Sequence, residues 1–333
     1  MPITTQLTRT LGILHPLIQG GMHYVGYAPL AAAVSNAGGL GLVTVLTQPS
    51  PDALRDELRK TKELTTKPFG INLTLLPALA PPNYSEFADV VEDEMKSGQL
   101  RVVETAGHFK GLQPFVNQFK NAGAYVIHKC TQIRHAKSAE KMGVDAISMD
   151  GFDCAGHPGE ADIGNWVLFA KAAKELNVPF VASGGCADGS QLAAAIAMGA
   201  EGMNMGTRWM ATVEAPIHQN VKQALVDGDE HSTTLVMRSV RNTERVFKNT
   251  TALKVLELER QHPGEFDKIH HLVKGDNYRK VFQETGNIDE GIWSAGTCIG
   301  LIDSVETCEA VANKIVADAE AIIRGRMAEC LVD

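Results

Sequence analysis

One pattern dominates this chain. A short apolar run with β-branched residues leads into a turn and then a longer helical segment, and the unit recurs eight times. The runs are PLIQGG (16–21), LGLVTVL (40–46), PFGINLTLL (68–76), LRVVETAG (100–107), AYVIHKCT (124–131), VDAISMDG (144–151), VPFVASGG (178–185) and EGMNMGTRW (201–209). Several are apolar almost throughout, as strands of a parallel sheet must be when both faces are covered. The segments between them, such as APLAAAVSNAG and SPDALRDELRKTKEL, carry helical periodicity. Ser50 can cap the latter with Pro51 in its first turn. Gly38, Gly98, Gly123, Gly143 and Gly199 stand where a helix ends and a left-handed residue is needed. Eight strand–helix units predict an α/β protein, a closed (β/α)8 TIM barrel. The alternative, a doubly wound open sheet, fits less well, because no G-x-G-x-x-G follows the first run.

The repeat breaks once. After the eighth run, residues from about 213 to 287 are more polar and include charged stretches such as TALKVLELERQ and DKIHHLVKGDNYRKVFQE. They read as a small helical subdomain inserted over the catalytic face. The expected barrel is therefore 1–212 and 288–333, with SVETCEAVANKIVADAEAIIRGRMAE as its last helix.

Composition narrows the function. Formal net charge is −8 and no Lys/Arg-rich run occurs, so neither a nucleic-acid groove nor an acidic-lipid surface is expected. No apolar stretch is long enough to span a bilayer, and the first residues lack the apolar core of a secretory signal. The six cysteines are scattered without CxxC pairing, which suits reduced thiols in a cytoplasmic compartment.

In such a barrel the chemistry sits at the C-terminal ends of the strands. Those ends supply Gly20, Gly21, Met22, Asn72, Thr74, Glu104, Thr105, His128, Lys129, Cys130, the segment from Asp150 to His157, Ser183, Gly184, Gly185, Gly206 and Thr207. ASGGCADG (182–189) and NMGTR (204–208) follow the seventh and eighth runs, where backbone N–H groups commonly bind a phosphate. The plainer reading is that these glycines only make tight turns. Lys129 ends a buried run, where a free ammonium is costly. It either meets an anionic ligand or pairs with Glu104 or Asp150. His157, in DCAGHPGE, is either a proton donor and acceptor or simply solvated. Cys154-x-x-His157 lacks a second ligand pair, so no metal is expected. Trp293, in GIWSAG, either packs the insertion onto the barrel or touches a ligand.

These motifs together, with NAGGLG (36–41) and HKCTQIRHAKSAEKMGVDAISMDGFDCAGHPGE (128–160), resemble the nitronate monooxygenase (2-nitropropane dioxygenase) family of FMN-dependent barrels. The similarity runs over essentially the whole chain and is greatest to the NADH:quinone reductase branch. Pro158 follows the histidine where nitronate monooxygenases proper usually carry a basic residue. The resemblance implies one noncovalent FMN. Gly21, Met22 and Thr74 would contact the flavin, Lys129 its pyrimidine side, and Ser183, Gly184, Gly185, Gly206 and Thr207 its phosphate. Asp150 and Gly156 would belong to the same site, with Trp293, Ser294, Ala295 and Gly296 closing over it. His157 would lie by the ring system. The implied reaction is hydride transfer from NAD(P)H and delivery of two electrons to a quinone, with Pro77 and the PALAPPNY loop at the dinucleotide entrance. Oxidation of alkyl nitronates by O2 is the alternative reaction, and a flavin-binding module without turnover the alternative of another class.

Overall fold

The structure is a computed structural model that describes residues 3–75, 82–107 and 111–331. All eight expected strands are present: β1 (Leu17–Gln19), β2 (Leu42–Thr44), β3 (Phe69–Leu75), β4 (Leu100–Gly107), β5 (Tyr125–Cys130), β6 (Ala146–Asp150), β7 (Phe180–Ser183) and β8 (Met203–Met205). They pair in parallel in the order β1-β8-β7-β6-β5-β4-β3-β2. The ring closes between β1 and β2, where Gln19 N–H donates to Leu40 O (2.9 Å) and Leu40 N–H to Leu17 O (2.9 Å). Gln19 Oε1 also accepts the N–H of Leu42 (2.9 Å), a side chain taking the place of a ladder carbonyl. The fold is a (β/α)8 TIM barrel.

A helix α1 (Gln6–Leu11) precedes the barrel. After the strands come α2 (Ala28–Asn36), α3 (Pro51–Leu64), α4 (Tyr84–Met95), α5 (Leu112–Asn121), α6 (Ile133–Lys141), α7 (Asn165–Glu175), α8 (Gly189–Ala197) and a C-terminal helix, Cys308–Ile322. Ser50 caps α3 as expected, its Oγ accepting from Ala53 N–H (3.2 Å), with Pro51 as the first residue. The five glycines expected at helix ends all have φ between +80° and +94°.

Strand alternation divides the barrel interior into layers. Ile18, Leu42, Val102, Ile127, Ala146 and Val181 form an apolar lower layer, sealed from below by Leu7 and Leu11 of α1. Two residues further along each strand the inward set is polar: Thr44, Asn72, Glu104, Lys129, Ser148, Ser183 and Asn204. The opposite parity, including Leu17, Val43, Ile71, Val103, Val126 and Ile147, packs under the helices.

Three features differ from the sequence reading. The α1 plug was not expected; a Thr5/Thr8 capping box forms it, and Glu201 accepts the N–H groups of Gln6 and Leu7. The eighth strand ends at Met205, and Thr207–Met210 turns into a short helix, because Gly206 breaks the extended run. The segment expected to be helical contains an antiparallel ribbon, β9 (Thr233–Val236) and β10 (Glu244–Phe247). Its strands hold β-branched and aromatic residues, and Val236 and Val246 pack with Ala252, Val255, Ile269 and Ile292 into a small separate core. Helices Gln219–Val226 and Thr250–Gln261 flank it. Among the described residues no helix is long and apolar enough to cross a membrane.

Candidate active site

The polar layer is a connected network. Glu104, 1% exposed, lies at its centre. Its Oε1 accepts from Asn204 Nδ2 (2.6 Å), and its Oε2 from Asn72 Nδ2 (2.7 Å) and Gly21 N–H (3.0 Å). Asn204 Nδ2 also donates to Ser148 Oγ (3.1 Å), which donates to Asp150 Oδ1 (3.1 Å). Thr74 donates to Asn72 Oδ1 (3.0 Å). One carboxylate thus ties β1, β3, β4 and β8 together beneath the mouth.

Lys129 stands beside this network, its Nζ 3.2 Å from Asp150 Oδ2. Burial opposes its charge, but Asp150 and then Glu104 outweigh burial and hold the ammonium above the usual lysine range. The pairing left open by the sequence is therefore with Asp150, and Glu104 acts at longer range. His128, on the outward face, is pushed down to about 4 by burial and then by His135; its Nδ1 lies 2.8 Å from Thr105 Oγ1. Burial pushes the thiol of Cys298 up to about 12 and those of Cys154 and Cys186 up as well, so they stay protonated near neutral pH.

Two adjoining cavities open over these residues. The narrow one, about 80 Å³, is lined by Met22, Ser183, Gly184, Gly185, Gly206 and Thr207 among others. The wide one, about 440 Å³, is lined by Thr74, Ala106, His157, Glu160, Arg241 and Thr243 among others. Gly21, Lys129, Asp150 and Ala155 belong to both walls.

The narrow cavity fits a phosphate. Among the described residues, no acceptor is found for the amide N–H groups of Gly184, Gly185, Cys186 and Gly206. Cys186 is buried and the three glycines half-buried, and amides without partners lining such a pocket mark a place where an anion can supply the missing acceptors. The backbone there admits only glycine: Gly184 has φ +84°, and a Cβ on it would lie 2.8 Å from that of Cys154. Asn165 braces the turn from behind, its Nδ2 donating to Ser183 O (3.3 Å) and to Gly184 O.

The expected site residues therefore fall into two groups. Gly21, Met22, Thr74, Lys129, Asp150, His157, Ser183, Gly184, Gly185, Gly206 and Thr207 line the cavities. The amides of Gly21 and Met22 are already engaged, by Glu104 and by Thr44 Oγ1 (2.9 Å), so those residues offer the cavity other atoms. Gly156, Trp293, Ser294, Ala295 and Gly296 line neither. They form a seam instead. Gly156 pairs with Arg245 and Ser294 with Val246, extending the ribbon on both sides. Trp293 is fully buried and stacked on Phe247 with ring centroids 4.4 Å apart, so it packs the inserted ribbon onto the barrel. Gly296 N–H donates to Thr207 Oγ1 (2.9 Å), which joins the seam to the cradle. Cys154 is buried against Gly184 whereas His157 is exposed at the rim. Pro77 and the residues after it to 81 lie outside the described residues.

The sequence places Asn72 at a strand end without a role, offers Glu104 only as a partner for Lys129 and Asn204 only as part of NMGTR, and does not single out Ser148 or Arg241. Strand parity alone points Asn72, Glu104, Ser148 and Asn204 inward. Nothing local in the sequence brings Arg241 to the rim.

Comparison with known proteins shows the family to which the chain belongs. The sequence model of the nitronate monooxygenase family matches residues 4–318. The "(3aS,4S,5R,7aS)-5-hydroxy-7a-methyl-1-oxo-octahydro-1H-indene-4-carboxyl-CoA dehydrogenase" of Rhodococcus jostii is 30% identical, over 95% of this chain and 96% of that protein. A nitronate monooxygenase of Paraburkholderia phytofirmans is 29% identical, over 91% and 92% of the two chains. The structure of FabK from Thermotoga maritima superposes with a TM-score of 0.88 at 29% identity, covering 99% of this chain and 100% of the other.

Proposed function

Because the chain belongs to the nitronate monooxygenase family and is a flavin-dependent oxidoreductase, we propose that it carries hydride equivalents from NAD(P)H to a quinone on one noncovalently bound FMN. What supports this reading most is the continuity of the two cavities. A narrow glycine cradle with unpartnered amides leads directly into a wide chamber past Lys129 and Asp150. A flavin phosphate in the first would set a ring system across the second. When bound, FMN supplies the redox chemistry: it takes hydride from the nicotinamide and returns two electrons to the acceptor.

The chain's own groups do the rest. Gly184, Gly185, Cys186 and Gly206 offer N–H groups to the phosphate. Lys129, kept protonated by Asp150, places a fixed positive charge at the floor of the chamber. That charge favours a ring that becomes more negative on reduction. His157, exposed at the rim, can orient an acceptor and exchange protons with it. Glu104 holds Asn72, Asn204 and Gly21 in place beneath them.

Two other substrates suit the same site. The 29% identical relative is named for nitronate oxidation and the 30% identical relative for a CoA thioester. Anaerobic mixing of the purified flavoprotein with NADH, NADPH, propyl-2-nitronate or an acyl-CoA, followed at the flavin absorbance, separates them. Bleaching by NADH or NADPH with recovery on adding benzoquinone is the expected result. Bleaching by nitronate or by acyl-CoA alone would overturn the quinone reading in favour of that substrate.

A further inference from the structure

Four described residues other than glycine adopt a left-handed backbone: Tyr24, Asp162, Met237 and Arg241. Three of them lie at or beside one turn, and of these Arg241 lines the wide cavity. Met237 (φ +60°) and Arg241 (φ +56°) bracket the turn between β9 and β10, and Asp162 (φ +50°) lies on the loop after β6. Strain of this kind persists only where the surroundings enforce it. Here they do. Glu160 accepts from Thr243 N–H (2.9 Å) and Oγ1 (2.6 Å). Glu259 accepts from Met237 N–H (2.7 Å), Ser239 N–H (3.0 Å) and Ser239 Oγ (2.7 Å). Asp162 Oδ1 accepts from Arg238 Nη2 (2.7 Å).

The three acids around the turn are thus all engaged, and none of them on Arg241. Among the described residues its guanidinium has no acceptor, yet it is exposed and lines the cavity with His157. The neighbouring cations are held elsewhere: Lys129 by Asp150, and Arg245 by Phe152 O (2.9 Å) and Thr233 Oγ1 (3.2 Å). Asn, Asp or Gly would take φ +56° with least strain. An arginine in that conformation presents five fixed donors at the rim with no internal partner.

Size tells what would meet it. A cavity of about 440 Å³ that would also hold the flavin ring leaves room for a nicotinamide or an acyl group, but not for the whole of a dinucleotide or a coenzyme A thioester. The phosphorylated part of either substrate must cross the rim. We propose that Arg241 is a phosphate subsite, gripping the phosphorylated handle of the substrate while its reactive end occupies the chamber. The guanidinium fork suits phosphate oxygens in a bidentate pair. The subsite rests on the proposed oxidoreductase reading for the identity of the substrates, and the phosphate has two possible sources: the dinucleotide donor or a CoA-type acceptor.

The test compares the wild type with Arg241→Asn, which removes the charge but suits a left-handed residue, and Arg241→Lys, which keeps it. Calorimetry measures binding of 1,4,5,6-tetrahydro-NADH, a dinucleotide that cannot give up hydride, and of free coenzyme A. Steady-state kinetics compares NADH with N-benzyl-1,4-dihydronicotinamide, a hydride donor without phosphate. The Asn variant is expected to weaken one phosphate-bearing ligand by about tenfold, as loss of a charge-assisted contact at a partly solvated site predicts. Its KM for the benzyl donor stays unchanged, and Lys, which restores the charge without the fork, recovers part of the loss. Weakening confined to the dinucleotide assigns the donor's phosphates, and weakening confined to coenzyme A the acceptor's. Unchanged affinity for both, or an equal loss with the benzyl donor, overturns the subsite. If the protein binds no flavin, the oxidoreductase reading fails on its own, and calorimetry with the same two ligands still decides on Arg241.

Discussion

Glu104→Gln probes the network that organises the barrel mouth. In the native protein one buried carboxylate accepts three hydrogen bonds, two from carboxamides and one from the Gly21 amide. The glutamine is nearly isosteric, so no cavity forms. Its amide nitrogen, however, must replace one oxygen and face a donor. If it takes the Oε1 position it meets Asn204, whose Nδ2 also donates to Ser148 Oγ. Flipping Asn204 to escape would turn its oxygen toward Ser148 and draw that hydroxyl away from Asp150. Losing one charge-assisted bond costs roughly 1.5–3 kcal/mol, and the other two weaken as the acceptor becomes neutral. Relief from burying a carboxylate offsets part of this. The net is about 2 kcal/mol, which corresponds to a fall in Tm of about 3 °C for a chain of 333 residues. Glu104→Ala, which leaves all three donors unpartnered, should cost more. Thermal unfolding followed by circular dichroism reads both. A glutamine variant melting within about 1 °C of the wild type would refute the claim that this carboxylate holds the mouth together.

The other predictions concern different parts of the site. His128 has its folded pKa lowered from 6.5 to about 4, so the unfolded chain binds the proton first as pH falls. Its contribution is fully present above pH 6.5 and is lost down to about pH 4, a swing of about 3 kcal/mol; His128→Asn should flatten the pH dependence of the denaturation midpoint in that window. Gly184→Ala forces a side chain into a left-handed residue against Cys154, at about 1–2 kcal/mol of backbone strain plus the clash, and should lower the flavin bound per chain in absorbance measurements. Trp293→Ala removes a fully buried ring stacked on Phe247 and should destabilise by about 3–5 kcal/mol in denaturant titration.

Much of the fold was legible because the barrel strands are apolar runs between helix signals that each have a local cause. Ser50 and Pro51 mark one helix start, and Gly38 or Gly199 a helix end, through the chemistry of a few adjacent residues. The α1 plug was harder: only Leu7 and Leu11 of its six residues face the barrel, too few for a period to register. The ribbon was missed because its strands have four residues each and its turn uses left-handed Met237 and Arg241, where a glycine would have signalled it. In the site, Lys129, Asp150 and the Gly184–Gly185 cradle follow from position at strand ends. Trp293 had two readings in the sequence, and only its stacking on Phe247 decides between them. Arg241 reaches the rim through the pairing of β10 with Gly156, a tertiary contact no local pattern encodes.

The central claim is that the unpartnered amides beside Gly184, Gly185 and Gly206 hold the phosphate of a flavin. The most direct measurement is the visible spectrum of the purified protein, with the cofactor released by heat and identified by mass. The account predicts flavin absorbance and FMN at about one per chain. A colourless protein that takes up no FMN on titration would contradict it.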